Sequence, residues 1–122
     1  MVLLCIDDDS DDVAFFCDAI STFNTSYTCI AAPNGKDGLS ILRGIRPDYI
    51  FLDINMPVMN GKETLKIIRQ NSCLQNVPVY MLSTTSNPVE LKKYKELGAT
   101  DCLVKPNRFE DLCNLLAPIL KS

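Results

Sequence analysis

Five short apolar segments, each followed by an amphipathic segment, alternate along the whole chain. The apolar segments are predicted to be buried strands because they are too short for helices of their own, and they cover residues 2–6, 27–32, 49–52, 78–82 and 102–104. Strands joined by helices form right-handed crossovers, so the strands lie parallel and the helices cover both faces of the sheet. The alternation therefore predicts an α/β fold with one doubly wound parallel sheet.

The predicted helices begin at residues that favour helix starts. Ser10 is the predicted N-cap of the first helix. The second helix is predicted to carry the apolar residues Leu39, Leu42 and Ile45 and to end near Pro47. Asn87 is the predicted cap of the fourth helix, with a proline at its first helical position. Asn107 is predicted to cap the fifth helix, with Glu110 as its capping-box partner.

Length and charge limit the class of protein. The chain has 122 residues, so residues 1–122 are expected to form one domain. Its net charge of −3 argues against a nucleic-acid-binding surface, which needs clustered Lys and Arg. No apolar run is long enough to span a membrane, and no basic segment precedes the first apolar residues as in a signal peptide. We therefore expect a cytoplasmic protein that binds neither nucleic acid nor membrane.

The cysteine and histidine contents narrow the possible chemistry. None of the cysteines is paired as CxxC, so metal and disulfide interpretations are weak and buried reduced thiols are expected. The six cysteines are Cys5, Cys17, Cys29, Cys73, Cys102 and Cys113. The chain contains no histidine, so it has neither a Ser-His nor a Cys-His nucleophile pair. Its chemistry is therefore expected to depend on carboxylates, hydroxyls and lysine, with a hard cation as an optional participant.

Unusual polar residues follow four of the five predicted strands. The carboxyl ends of parallel strands share one edge of a sheet, which is where ligands bind in open α/β folds. The residues at these strand ends are Asp7, Asp8 and Asp9, then Asp53, then Ser83 and Thr84, then Lys105. Taken singly, the acidic triplet could be a solvated helix start, Ser83 a turn residue and Lys105 a surface lysine. Their position on one edge favours a common site.

This set of residues is suited to phosphoryl transfer. Carboxylates brought close together repel each other, and a hard divalent cation such as Mg²⁺ relieves that repulsion while binding only one or two of them directly. A hydroxyl and an ammonium group bind phosphoryl oxygens. One carboxylate can then attack phosphorus and form an aspartyl phosphate.

The chain resembles the receiver domain of two-component response regulators over essentially all 122 residues. The shared motifs are the acidic pair after the first strand, Asp53 followed by Met56-Pro57 and Gly61, Ser83 after the fourth strand, and Lys105-Pro106 after the fifth. The resemblance implies a flavodoxin-like (βα)5 fold, a five-stranded parallel sheet with strand order 2-1-3-4-5.

The resemblance also implies a role for each site residue. Asp53 would be the phosphoacceptor and would act in catalysis with Ser83 and Lys105. Mg²⁺ would be the cofactor, and its ligands would be Asp8 directly, Asp7 through a bound water, Asp53, and the backbone carbonyl of Asn55. Phosphoryl oxygens would be bound by Ser83, Thr84 and Lys105.

One position departs from the family pattern. Three residues before the lysine that follows the fifth strand, receivers usually carry Tyr or Phe, a ring that moves together with the Ser/Thr hydroxyl on phosphorylation. Here that residue is Cys102. With Ser83 and Cys102 as the switch positions, phosphorylation is expected to reorder mainly the loops near 55–60 and 84–87, unless Tyr94 supplies the missing ring.

Three other functions compete with the receiver interpretation. A haloacid-dehalogenase-like Mg²⁺-dependent phosphatase also uses an Asp nucleophile, but its acid/base Asp two positions later would here be Asn55. A flavodoxin-like module would place FMN phosphate where Asp7–Asp9 would repel it. A phosphorylation-independent interaction module is the third alternative. The receiver interpretation predicts no enzyme activity beyond the chain's own phosphorylation and dephosphorylation.

The expected partners follow from the receiver interpretation. A stand-alone receiver would take its phosphoryl group from a sensor histidine kinase or a histidine phosphotransfer protein. It would then signal through contacts with a downstream protein, which the sequence does not specify.

Overall fold

The computed structural model describes residues 1–84 and 87–120. Strands and helices alternate in this part of the chain, with a single 3-10 turn at Ser72–Leu74 before the fourth strand. The elements are β1 (Val2–Ile6), α1 (Ser10–Phe23), β2 (Thr28–Ala32), α2 (Gly35–Leu42), β3 (Tyr49–Asp53), α3 (Gly61–Gln70), β4 (Val79–Ser83), α4 (Pro88–Glu96), β5 (Asp101–Val104) and α5 (Phe109–Leu120).

The five strands form one parallel sheet in the order β2-β1-β3-β4-β5. The predicted flavodoxin-like topology is therefore confirmed. From β1 the chain first adds β2 on one side of the sheet, and it then adds β3, β4 and β5 in turn on the other side. The direction of the strand order therefore reverses between β1 and β3. That reversal opens a crevice at the carboxyl ends of these two central strands, which is the usual ligand position in such sheets.

Two apolar clusters hold the helices against the two faces of the sheet. The first joins α2, α3 and α4 to residues such as Leu4, Ile50 and Met81. The second joins α1 and α5 to Leu3, Phe51 and Leu82. Because neighbouring residues of β1 point to opposite clusters, β1 is buried on both faces. Burial on both faces explains why the central strands consist mainly of apolar residues. No helix within the described ranges is both long and apolar enough to cross a membrane.

Three of the predicted helix ends were wrong. Asp9, not Ser10, is the N-cap of α1, and its carboxylate accepts hydrogen bonds from the backbone N–H groups of Asp11 and Asp12. The helix α2 ends at Leu42, so Ile45 lies outside it and is exposed.

The third error concerns α5, which begins at Phe109. Its first backbone hydrogen bond runs from the N–H of Leu112 to the carbonyl of Arg108. Arg108 therefore occupies the N-cap position, one residue after the predicted cap at Asn107.

Arg69 of α3 holds together a region that the sequence pattern does not reveal. Its guanidinium donates hydrogen bonds to the carbonyl oxygens of Gly98 at 2.8 Å, Leu74 at 2.9 Å and Val77 at 2.9 Å. Gly98 has a φ of +109°, a conformation that favours glycine. The Arg69 side chain thus ties α3 to the turns before β4 and after α4.

Replacing Arg69 with Met should lower the free energy of unfolding by about 2–3 kcal/mol, because three partly buried carbonyls lose their donor while the apolar stem is retained. Urea unfolding followed by circular dichroism measures this. Arg108→Met is the matched control, since the Arg108 side chain is 75% exposed and its pairing with Glu110 at 4.0 Å is weak. Equal stability of the two variants would contradict the assigned role of Arg69.

Candidate functional site

The site lies where β1, β3, β4 and β5 end at the carboxyl edge of the sheet. Asp53 is the last residue of β3 and Ser83 the last of β4, and both are buried. Asp7 follows β1 directly and Lys105 follows β5 directly. The fold therefore brings the predicted residues of four separate segments to one place.

The acidic segment after β1 is held by its own backbone contacts. The N–H of Asp7 donates to the carbonyl of Ala32 in β2 at 3.0 Å, and the Asp7 side chain is 3% exposed. The N–H of Asp9 donates to Oδ1 of Asp7 at 3.0 Å. Because Asp9 also caps α1, its side chain turns toward the helix, while Asp8 is exposed beside Asp7.

Lys105 lies at the centre of the site. Its Nζ is 3.0 Å from Oδ2 of Asp7, 3.2 Å from Oδ1 of Asp53 and 3.2 Å from Oδ2 of Asp12. Its backbone N–H donates to the carbonyl of Ser83 at 2.7 Å, which fixes the end of β5 against the end of β4. One ammonium group therefore bridges three carboxylates from different elements.

Burial and charge alter the protonation of the site. Burial raises the pKa of Asp53 to about 6, and the negative charge of Asp7 adds to this effect, while Lys105 opposes it. Burial alone lowers the pKa of Lys105, but its hydrogen bonds and ion pairs with Asp7 and Asp53 outweigh burial and raise the pKa overall. Lys105 therefore stays charged, and Asp53 ionises near pH 6.

The raised pKa of Asp53 predicts a pH-dependent effect on stability. An unfolded Asp ionises near pH 3.8 and the folded Asp53 near pH 6, so between these values the folded state binds more protons. The contribution of Asp53 to the free energy of unfolding is therefore greatest at low pH, and it is lost as pH rises through 6.

Asp53→Asn should therefore be more stable than the wild type by about 2 kcal/mol at pH 7.5 without divalent cations, and by little at pH 4. Urea unfolding of both proteins across this pH range measures the difference. A stability difference that does not change with pH would contradict the assignment.

Three carboxylates could hold a metal ion. One oxygen from each of Asp7, Asp8 and Asp53 lies within 4.8 Å of the others. Carboxylate oxygens are the ligands that hard cations prefer, and an exposed Asp8 leaves one side open to water. The donor set fits a hard divalent cation that retains several waters.

The loop after β3 completes the edge of the site. Asn55 is exposed in this loop, and Val58 has a φ of +69°, an unfavourable conformation for a β-branched residue. The N–H of Gly61 donates to the carbonyl of Ile54 at 2.9 Å. A Cβ at Gly61 would come within 2.8 Å of the Ile54 Cα and closer still to the Asp53 carbonyl. The glycine therefore allows α3 to start directly beside Asp53.

The remaining predicted residues are Thr84 and Cys102. Thr84 follows Ser83 and is exposed. Cys102 of β5 is half-buried and packs against the apolar cluster that contains the buried Tyr94. Burial, followed by the charge of Asp101, raises the pKa of Cys102 to about 11, so its thiol is neutral. Of the loop 84–87, Thr85 and Ser86 lie outside the described residues.

Asp12 is a site residue that the sequence analysis missed. It lies in the first turn of α1, and its carboxylate reaches Lys105 from the solvent side with 48% of the side chain exposed. The corrected N-cap at Asp9 would have indicated this position, since a residue three after the cap points back toward the start of the helix.

Comparisons with known proteins agree with this geometry. A family model for the response regulator receiver domain matches residues 3–117. The two-component response regulator ORR11 of Oryza sativa subsp. indica is 33% identical over 97% of this chain and 80% of its own length. A probable cyclic di-GMP phosphodiesterase of Vibrio cholerae is 35% identical over 98% of this chain, which spans only 25% of that protein.

Solved structures show the same architecture. The chemotaxis response regulator CheY4 of Vibrio cholerae superimposes with a TM-score of 0.87 and 32% identity, covering 98% of both chains. The Mn²⁺-bound form of response regulator Rcp1 gives a TM-score of 0.88 at 25% identity and covers 99% of this chain and 95% of its own. The chain belongs to the response regulator receiver family of two-component signalling proteins.

Proposed function

We propose that this chain accepts a phosphoryl group on Asp53 and signals through altered contacts with another protein. The observation that carries the proposal is the position of Asp53: a buried carboxylate at the end of β3, 3.2 Å from the ammonium of Lys105 and beside Asp7 and Asp8. Membership of the receiver family supports the same role.

In the proposed reaction, a carboxylate oxygen of Asp53 attacks phosphorus while the bond from phosphorus to the donor's leaving atom breaks. Lys105 lies close enough to bind a phosphoryl oxygen and stabilise the negative charge of the transition state. Ser83, at the end of the neighbouring strand, and the adjacent Thr84 would supply hydroxyl groups to the other phosphoryl oxygens.

Mg²⁺ is the proposed cofactor, held by Asp8, Asp53, the backbone carbonyl of Asn55 and, through water, Asp7. When bound, it would neutralise the carboxylates and the phosphoryl oxygens that approach them. The metal in the related Rcp1 structure is Mn²⁺, another cation that suits oxygen ligands.

The proposed phosphoryl donor is a sensor histidine kinase or a histidine phosphotransfer protein, and the acceptor of the signal is a downstream protein. Ser83 is the proposed switch residue, because its buried hydroxyl lies beside the Asp53 strand. Cys102 supplies no ring to follow that hydroxyl, and the buried Tyr94 in the adjoining cluster is the residue that could replace it.

Labelling with acetyl phosphate tests the function. With Mg²⁺, the chain should take up one phosphoryl group, and chelation of the metal should prevent uptake. The chain should not turn over phosphomonoesters such as p-nitrophenyl phosphate, because it catalyses only its own phosphorylation and dephosphorylation. Repeated turnover of such esters would favour the phosphatase alternative, whereas a properly folded chain that takes up no phosphoryl group would favour an interaction module.

A further inference from the structure

Two free cysteines meet at the outer edge of the sheet, away from the acidic site. Cys17 lies on α1 and Cys29 on the edge strand β2, and their Sγ atoms are 2.7 Å apart. Both side chains are half-buried. The two thiols are therefore accessible from solvent as well as in contact with each other. Nothing in the phosphoryl site uses either thiol.

The fold, rather than a sequence motif, creates this contact. Cys29 is in register with Leu3 of β1 and packs against the apolar cluster under α1 and α5. Cys17 follows the buried Phe16 on α1, and its Sγ atom contacts that of Cys29. Because the S–S bond of a disulfide is about 2.05 Å long, bond formation requires only a small movement of the two sulfur atoms.

We propose that Cys17 and Cys29 are a reversible oxidation site at which a peroxide converts the two thiols into an intramolecular disulfide that ties α1 to β2. The proposal is independent of phosphorylation at Asp53, because it rests on the contact between the two sulfur atoms alone.

The reaction needs two steps. The Cys17 thiolate attacks one oxygen of hydrogen peroxide, so that an S–O bond forms, the O–O bond breaks and hydroxide leaves, giving a sulfenic acid. The sulfur of Cys29 then attacks the sulfenic sulfur, the S–S bond forms, the S–O bond breaks, and the proton of Cys29 leaves with the hydroxyl group as water. Overall, two thiols and one peroxide give one disulfide and two waters.

The electrostatics agree with Cys17 as the attacking group. The hydrogen bond between the two sulfurs lowers the pKa of Cys17. The same hydrogen bond, followed by burial, raises the pKa of Cys29. A lowered pKa increases the fraction of reactive thiolate. Cys5 is nearby but is only 1% exposed, and its pKa is raised mainly by burial, so it is a poor competitor.

Peptide mapping of the full chain tests the proposal. The reduced protein is treated with hydrogen peroxide, its remaining thiols are alkylated, and the digest is analysed without reduction. The expected result is a peptide pair joined through Cys17 and Cys29, with two of the six thiols lost and both recovered after dithiothreitol. The melting temperature of the oxidised protein should rise by about 5–10 °C, because the disulfide closes a short loop.

Three variants provide the comparison. Cys17→Ser and Cys29→Ser should each form no intramolecular disulfide, and Cys113→Ser should form it as the wild type does. A cross-link that joins another pair, such as Cys5 with Cys17, would overturn the proposal. Oxidation of the wild type without any cross-link would also overturn the proposal. This result does not depend on whether a variant folds.

Discussion

Replacing Asp53 with Asn is expected to abolish phosphorylation of the chain by acetyl phosphate. The amide has nearly the shape of the carboxylate but lacks the negatively charged oxygen that attacks phosphorus. Because the unfavourable ionisation of a buried acid is also removed, the variant should fold at least as well as the wild type. Intact-protein mass spectrometry measures the uptake of the phosphoryl group.

Asp11→Asn is the matched control for this experiment. It makes the same chemical change at an exposed position in the first turn of α1. The control should be phosphorylated as the wild type is, so a loss of labelling in Asp53→Asn cannot come from net charge alone. Retained labelling in Asp53→Asn would show that another residue accepts the phosphoryl group.

Replacing Lys105 with Met is expected to slow phosphorylation about 100-fold, because the positive charge that stabilises the transferring group is lost. The change should also cost about 3 kcal/mol of stability at neutral pH, because Asp7 and Asp53 lose the cation that pairs with their buried carboxylates. Labelling time courses and urea unfolding measure the two effects.

Mg²⁺ should recover more stability in Lys105→Met than in the wild type, since the cation replaces part of the missing charge. Lys95→Met is the control, because Lys95 pairs with Asp101 at 3.1 Å on the surface with about half of each side chain exposed. Such a surface ion pair contributes little to the free energy of unfolding. If Lys105→Met has the same labelling rate and the same free energy of unfolding as Lys95→Met, the contacts of Lys105 contribute neither to phosphorylation nor to stability.

The fold and the strand-end residues could be predicted from local sequence features. Short apolar runs such as 49–52 are bounded by polar residues, and parallel topology then places their ends at one edge. For that reason Asp7, Asp53, Ser83 and Lys105 come together as the pattern predicts.

Other features depend on contacts between distant segments and could not be predicted in this way. The pairing of Asp12 with Lys105 depends on which residue caps α1. The carbonyl contacts of Arg69 join α3 to two turns that no periodicity connects to it. The Cys17–Cys29 contact follows from the register of β2 against β1, which the apolar pattern of the two strands does not specify.

Phosphorylation at Asp53 is tested most directly by identifying the residue that carries the phosphoryl group. Borohydride reduces an aspartyl phosphate to homoserine, so the labelled wild-type chain can be reduced, digested and sequenced by mass spectrometry. The assignment of Asp53 as the phosphoacceptor predicts homoserine in place of Asp53 and at no other position. Homoserine in place of Asp7, Asp8 or Asp12, or an acid-stable phosphate on Ser83, would contradict it.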